Sequence, residues 1–214
     1  MTEKQITRGQ KKIKQLRSTL ANEKRRFGFY DDGRGLRYVV IRECLKINDY
    51  KAGLNFLKWF NKNFPDDIGY PVFLFECTIV LFMNGKIKEA EEMALKTFYG
   101  NTYLIEQFLN GHAEDDMGKI EWSNWESVEI LEDFKYSAND KNLVDFSVWL
   151  KTLFGSEEFK KKTETYLSIL KRLMTENDSE MRDLLKGWLS QLKSNLVADK
   201  ELESDSLILG QHED

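Results

Sequence analysis

Few side chains in this 214-residue chain could do nucleophilic or metal chemistry: it holds two histidines and two cysteines. His112 follows Gly111 in a polar stretch, and His212 stands two residues from the end of the sequence. Neither has a Cys or His at metal-ligand spacing. Cys44 and Cys77 lie inside apolar runs, where a thiol behaves as a small hydrophobe, so two buried reduced thiols are expected. Gly155-Ser156 lacks the rest of a nucleophile elbow and reads as a helix break followed by an N-cap. Asp31-Asp32-Gly33-Arg34-Gly35 has the glycines of a phosphate-cradling loop. It lacks the Lys-Ser/Thr that must follow and a strand before it, and therefore reads as a turn. Arg34 and Arg37 could hold an anion at the helix start beyond that turn, or pair with Asp31, Asp32 or Glu43. Glu114-Asp115-Asp116 lacks the alternating oxygen ligands of a calcium loop. No catalytic residue, metal or cofactor is expected, and the chain reads as a non-enzyme.

What remains is surface. Trp122 and Trp125 are three residues apart and would share one face of a helix beginning near Ser123, as core anchors or as an aromatic contact patch. Residues 1 to 26 hold nine Lys/Arg and two Glu, a net charge of +7, while residues 199 to 214 carry six acids and one Lys, −5. A solvated helix face paired with the acidic end is the favoured reading of the basic segment. Phosphate pairing with nucleic acid is one alternative, against an overall charge of −4 and a pI near 5.5; a membrane surface or a protein partner is another.

The elements that carry these groups read as helices. Two prolines and 13 glycines are too few for the turns of an all-β fold. Ile6, Ile13, Leu16, Leu20 and Phe27 put one narrow apolar stripe on a helix over residues 3 to 26. Three glycines and two aspartates then make residues 28 to 35 a loop. Helices follow over residues 36 to 47 and 50 to 64, with Asp49 as N-cap of the second. Two more cover residues 70 to 83 and 86 to 99, joined by Asn84-Gly85. Shorter or looser helices are expected at 102 to 109, 123 to 136, 142 to 154 and 157 to 174. The last helix starts at an Asn177/Glu180 capping box and carries Leu184, Leu185, Trp188 and Leu189, with fraying from about residue 203. The most apolar run, residues 70 to 83, has 14 residues and includes Glu76. That is short of the roughly 18 a bilayer span needs. The charged N-terminus shows no secretory h-region.

Residues 48 to 65, NDYKAGLNFLKWFNKNFP, resemble the second helix of a tetratricopeptide repeat, with Tyr50, Gly53, Leu57 and Pro65 in the family's places. Residues 84 to 97 repeat the pattern with Gly85, Ala90 and Ala94, and a degenerate third pair spans residues 144 to 173. The small positions Gly53 and Ala90 are 37 apart, where the family spaces them by about 34. Thr102 stands where the second repeat's terminal proline belongs, and Ile41 takes a usual close-contact position.

The resemblance implies an all-α fold of antiparallel hairpins stacked as a short superhelix, with extra helices at both ends. It also implies a concave groove lined by Gly35, Tyr38, Arg42, Leu45 and Lys46 of one repeat and Val72, Phe75, Ile79, Phe82 and Met83 of the next. The Lys/Asn clamp with which family members grip chaperone tails is missing there. The second set is wholly apolar, so the N-terminal helix or the Trp188 helix is expected to cover it, with a hydrophobic partner helix lying in the groove as the rival.

The expected organisation is a basic helix (1–27), a repeat domain (28–175), an amphipathic helix (176–202) and an acidic tail (203–214). The expected function is that of a cytoplasmic adaptor for a protein or peptide partner, with a nucleic-acid-associated factor second and an enzyme without a recognisable motif third. The binding candidates are Arg34, Arg37, Tyr38, Arg42, Phe75, Ile79, Phe82, Trp122 and Trp125.

Overall fold

A computed structural model describes residues 1–30, 32–113, 128–132 and 134–209, with side chains described through residue 194. Among the described residues the chain is all-helical, with nine α-helices, one 3-10 turn and no strand. The expected fold class, a stack of antiparallel helices flanked by extra helices at both ends, is what forms.

The first helix, α1 (Glu3–Phe27), starts at a Thr2/Gln5 capping box and stops at Gly28, which takes φ 80°. A residue with a Cβ is strained in that left-handed conformation, so glycine ends the helix cheaply. Ile13 and Leu20 bury its inner stripe against α2 (Leu36–Lys46). Ile47 comes so close to the α1 backbone at Gly9 that a side chain there would collide with it.

The hairpin of α2 and α3 (Tyr50–Asn63) turns at Asn48, which adopts φ 55°, a region asparagine tolerates. Asp49 then caps α3, accepting the Ala52 N–H at 3.0 Å. The next hairpin joins α4 (Pro71–Met83) and α5 (Ile87–Gly100) through Gly85 at φ 71°. Pro71 sits at the first position of α4, where its missing N–H costs nothing. All residues from Phe73 to Leu81 are buried, so α4 is the central helix of the stack.

Helix α2 packs on α4, and α3 packs on both. The close approach is visible at Gly53, where an added Cβ would sit 2.9 Å from Val80 Cγ2 and 3.6 Å from Cys44 Cβ. Beyond α6 (Leu104–Asn110), a 3-10 turn covers Val128–Leu131. Helices α7 (Val144–Gly155) and α8 (Glu157–Thr175) form another pair. Of these, α7 packs on α4 and α8 on α5. Ser156 caps α8 through the Phe159 N–H, as its position predicts. Helix α9 (Ser179–Leu209) lies against α8 and α5.

Three expectations change. The helix over 123 to 136 does not form in its described part. After the 3-10 turn, residues 134 to 137 have no regular structure. The rings of Phe134 and Tyr136 both pack on Phe75. The start of α9 is capped by Asp178, whose carboxylate accepts the Met181 N–H at 2.8 Å; Asn177 stands outside the helix. Its end runs to Leu209, past residue 203.

Candidate functional site

Two polar clusters tie the elements of the stack together. In the first, Asp32 is buried and its carboxylate accepts the N–H groups of Leu36 at 2.6 Å and Arg37 at 2.8 Å. The anion suited to the α2 N-terminus is thus the chain's own. Arg37 bridges Asp32 at 3.2 Å and Asp67 at 2.6 Å, and Tyr38 donates its hydroxyl proton to Asp67 at 2.7 Å. Burial alone would raise the Asp67 carboxyl. Hydrogen bonds from Tyr38, the Gly69 N–H and Arg37 outweigh it and hold Asp67 below the usual carboxylate range. The guanidinium also lies over the rings of Tyr38 and Phe64, at 4.5 and 5.1 Å. Of the pairings open to Arg37, the structure forms the one with Asp32. Glu43 instead pairs with Lys12 and Lys46, at 3.0 and 2.8 Å.

These bonds fix the 64–70 loop as the rim of a groove between α3 and α5, floored by α4. The groove is about 360 Å³ in volume and is lined by Leu57, Phe60, Phe64, Leu74 and Met93, with Lys96 and Lys193 among its polar residues. Ile68 projects from the rim and is 83% exposed. Gly69 and Gly100 keep the wall thin: an added Cβ at Gly69 would sit 3.1 Å from Leu74 Cδ2, and one at Gly100 3.4 Å from Pro71 Cγ.

The second cluster is internal. Arg42 Nε donates to Glu76 Oε1 at 2.7 Å, and Tyr136 Oη donates to the same oxygen at 2.8 Å. Arg42 Nη2 donates to Tyr70 Oη at 2.5 Å. Glu76 Oε2 is buried without a hydrogen-bond partner. Burial raises the Glu76 carboxyl and is only partly offset by Arg42 and Tyr136. The arrangement ties α2, α4 and the 134–136 segment together.

That segment explains the expected groove. Phe75 and Ile79 are fully buried and Phe82 partly so. Phe75 meets Phe108 at 5.0 Å, Phe134 at 5.3 Å and Phe146 at 5.7 Å between ring centroids. Phe82 meets Trp149 at 4.8 Å. The cover is therefore α6, α7 and the 134–136 segment. It is neither α1, whose narrow stripe is spent on α2, nor α9, whose Leu185 and Leu189 are buried and which packs on α8 and α5.

Arg34 is exposed in the loop before α2. Trp122 and Trp125 lie outside the described residues, as does the Glu114–Asp116 run. Cys44 and Cys77 are free and buried, as expected, and burial pushes the Cys44 thiol up to about 12. Among the described residues no group of three or more His, Cys, Asp or Glu is placed to hold a metal ion. No described helix is long and apolar enough to cross a membrane.

The residues missed by reading the sequence were Asp67 and Ile68. The turn signal Pro65-Asp66-Asp67 was visible. The Asp67 contacts span 29 and 30 residues in sequence and had no local signature. Compared with protein-family models, curated proteins and solved structures, the chain matches none.

Proposed function

We propose that this chain is a non-catalytic, cytoplasmic adaptor on a tetratricopeptide-like stack, and that it holds a protein partner on the groove between α3, the 64–70 loop and α5. The observation that carries this reading is Ile68, an aliphatic side chain 83% exposed on a loop that Arg37 and Tyr38 hold in place. An exposed apolar residue on a rigid rim beside an apolar groove fits the buried-anchor pattern of protein interfaces. The tight approach at Gly53 fits the repeat resemblance. The two unpaired buried thiols suit a reducing compartment.

Affinity purification from the native cell tests the reading. Wild type and Lys161→Asp, a change on the exposed face of α8, should retain the same partner, and Ile68→Asp should lose it. An identical set of co-purifying proteins with all three chains would contradict it.

The outer face of α1 favours a second reading, a nucleic-acid-associated factor. Lys4, Arg8, Lys11 and Lys14 are exposed on the side opposite Ile13 and Leu20. Binding to generic RNA or DNA should then fall steeply with salt, and a flat response with weak binding removes it.

A further inference from the structure

The C-terminal end of α1 carries a different surface from either the groove or the basic stripe. Lys24, Arg25 and Arg26 make up its last turn. Phe27 and Phe29 follow, 45% and 61% exposed, with ring centroids 6.2 Å apart on either side of Gly28. Tyr30 turns the other way. Its ring packs on Trp59 and Phe64, at 5.5 and 4.9 Å, and its hydroxyl donates to Asn63 at 2.9 Å. The chain is thus anchored immediately after Phe29, and the two exposed rings do not belong to a loosely held end. Arg34 adds an exposed cation to the same loop.

Of the acids in this stretch, Asp31 lies outside the described residues. Asp32 is buried, bonded to the α2 N-terminus and to Arg37. Glu23 turns one carboxylate oxygen into the protein. Across residues 24 to 34, four cations face Asp31 and Asp32, a net +2, while the whole chain carries −4. Cations and exposed aromatic rings therefore coincide at the end of α1, whose preceding residues 1 to 23 hold six Lys/Arg and two Glu.

We propose that this tip docks on an anionic bilayer surface. Phe27 and Phe29 enter the boundary between headgroups and acyl chains, and Arg25, Arg26 and Arg34 lie among the lipid phosphates and carboxylates; Lys24 instead lies over the Tyr30 ring at 4.7 Å. Apolar insertion supported by a basic patch is the pairing that interfacial binding requires. Single-stranded nucleic acid would meet the same cations, but it needs ring faces open for stacking. Here the two rings lean on each other at 36°, and the Arg26 guanidinium covers Phe27 at 5.1 Å. The inference does not depend on the adaptor reading or on its groove.

The test uses the full chain with vesicles of phosphatidylcholine, alone or mixed with phosphatidylserine. Sedimentation should show binding to the mixed vesicles only. Joint Phe27→Ser and Phe29→Ser substitution should weaken it at least about tenfold, and each of Arg25→Gln and Arg26→Gln by about fivefold. All four side chains are exposed, so circular dichroism should stay unchanged. Phe29→Cys, labelled with an environment-sensitive dye while Cys44 and Cys77 stay buried, should report an apolar environment on the mixed vesicles. Absence of phosphatidylserine-dependent sedimentation, or binding indifferent to both phenylalanines, overturns the proposal. Binding of a single-stranded oligonucleotide that is lost in the same variants, without vesicle binding, overturns it in favour of nucleic acid.

Discussion

Arg37, Tyr38 and Asp67 form a small network whose members come from α2 and from the loop before α4. Asp67→Asn keeps the shape and removes the charge that Arg37 and Tyr38 share. At neutral pH it should cost about 1.5–3 kcal/mol, the range for a hydrogen bond to a charged group. The pH dependence has a definite sign. The folded-state value of Asp67 lies below its usual 3.8, so its contribution is present above that value and is lost as pH falls through the lower one. Denaturation at a series of pH values should show the gap between wild type and Asp67→Asn closing below about pH 4. A gap that holds constant through the acid range would mean that the carboxylate is not held by these donors. Legibility at this scale was uneven. Asp49 and Ser156 cap the helices that follow them, as their types and positions predict, because a cap is a local device. Asp67 was not legible, because its partners are distant in sequence.

The helices differ in what they bury, and the differences set the packing. On α1 the apolar stripe is narrow, so the helix can satisfy one neighbour and no more. On α4 both sides are apolar, so the helix must be enclosed. Gly53 lets α3 approach α4 where a methyl group would meet Val80. Gly53→Ala should therefore destabilise by about 1–3 kcal/mol, the usual cost of overpacking, and Val80→Ala in the same chain should recover part of it. Equal loss with and without the second change would show that the approach is looser than the geometry states. The enclosure of α4 makes a second prediction. Joint Phe134→Ala and Tyr136→Ala substitution should uncover Phe75 and raise the binding of a dye that reports exposed apolar surface. Deleting residues 1 to 26 should leave the α4 aromatic face covered by α6, α7 and the 134–136 segment. No dye response to the joint substitution would contradict this cover.

Over the whole molecule, hairpin order and nearly all helix boundaries were readable, because apolar periodicity and turn residues are local. Which segment fills which surface was not. Phe75, Ile79 and Phe82 read as an uncovered apolar set that the chain itself or a partner helix must close over. The segment that closes over much of it, Phe134 to Tyr136, read as helix from its composition and has no regular structure instead, held by contacts to Phe75 and Glu76. Arg37 and Tyr38 were identified as binding candidates, and their place in the structure is the support of a different groove. The central claim is that the chain fills the groove along α4 with its own aromatic segment and leaves partners to the outer surfaces. Ring-to-ring nuclear Overhauser contacts in the full chain with selectively labelled phenylalanine test it most directly. The result predicted is a contact between Phe75 and Phe134, whose centroids are 5.3 Å apart, and another between Phe75 and Phe146 at 5.7 Å. A folded chain that lacks the Phe75–Phe134 contact would contradict the claim.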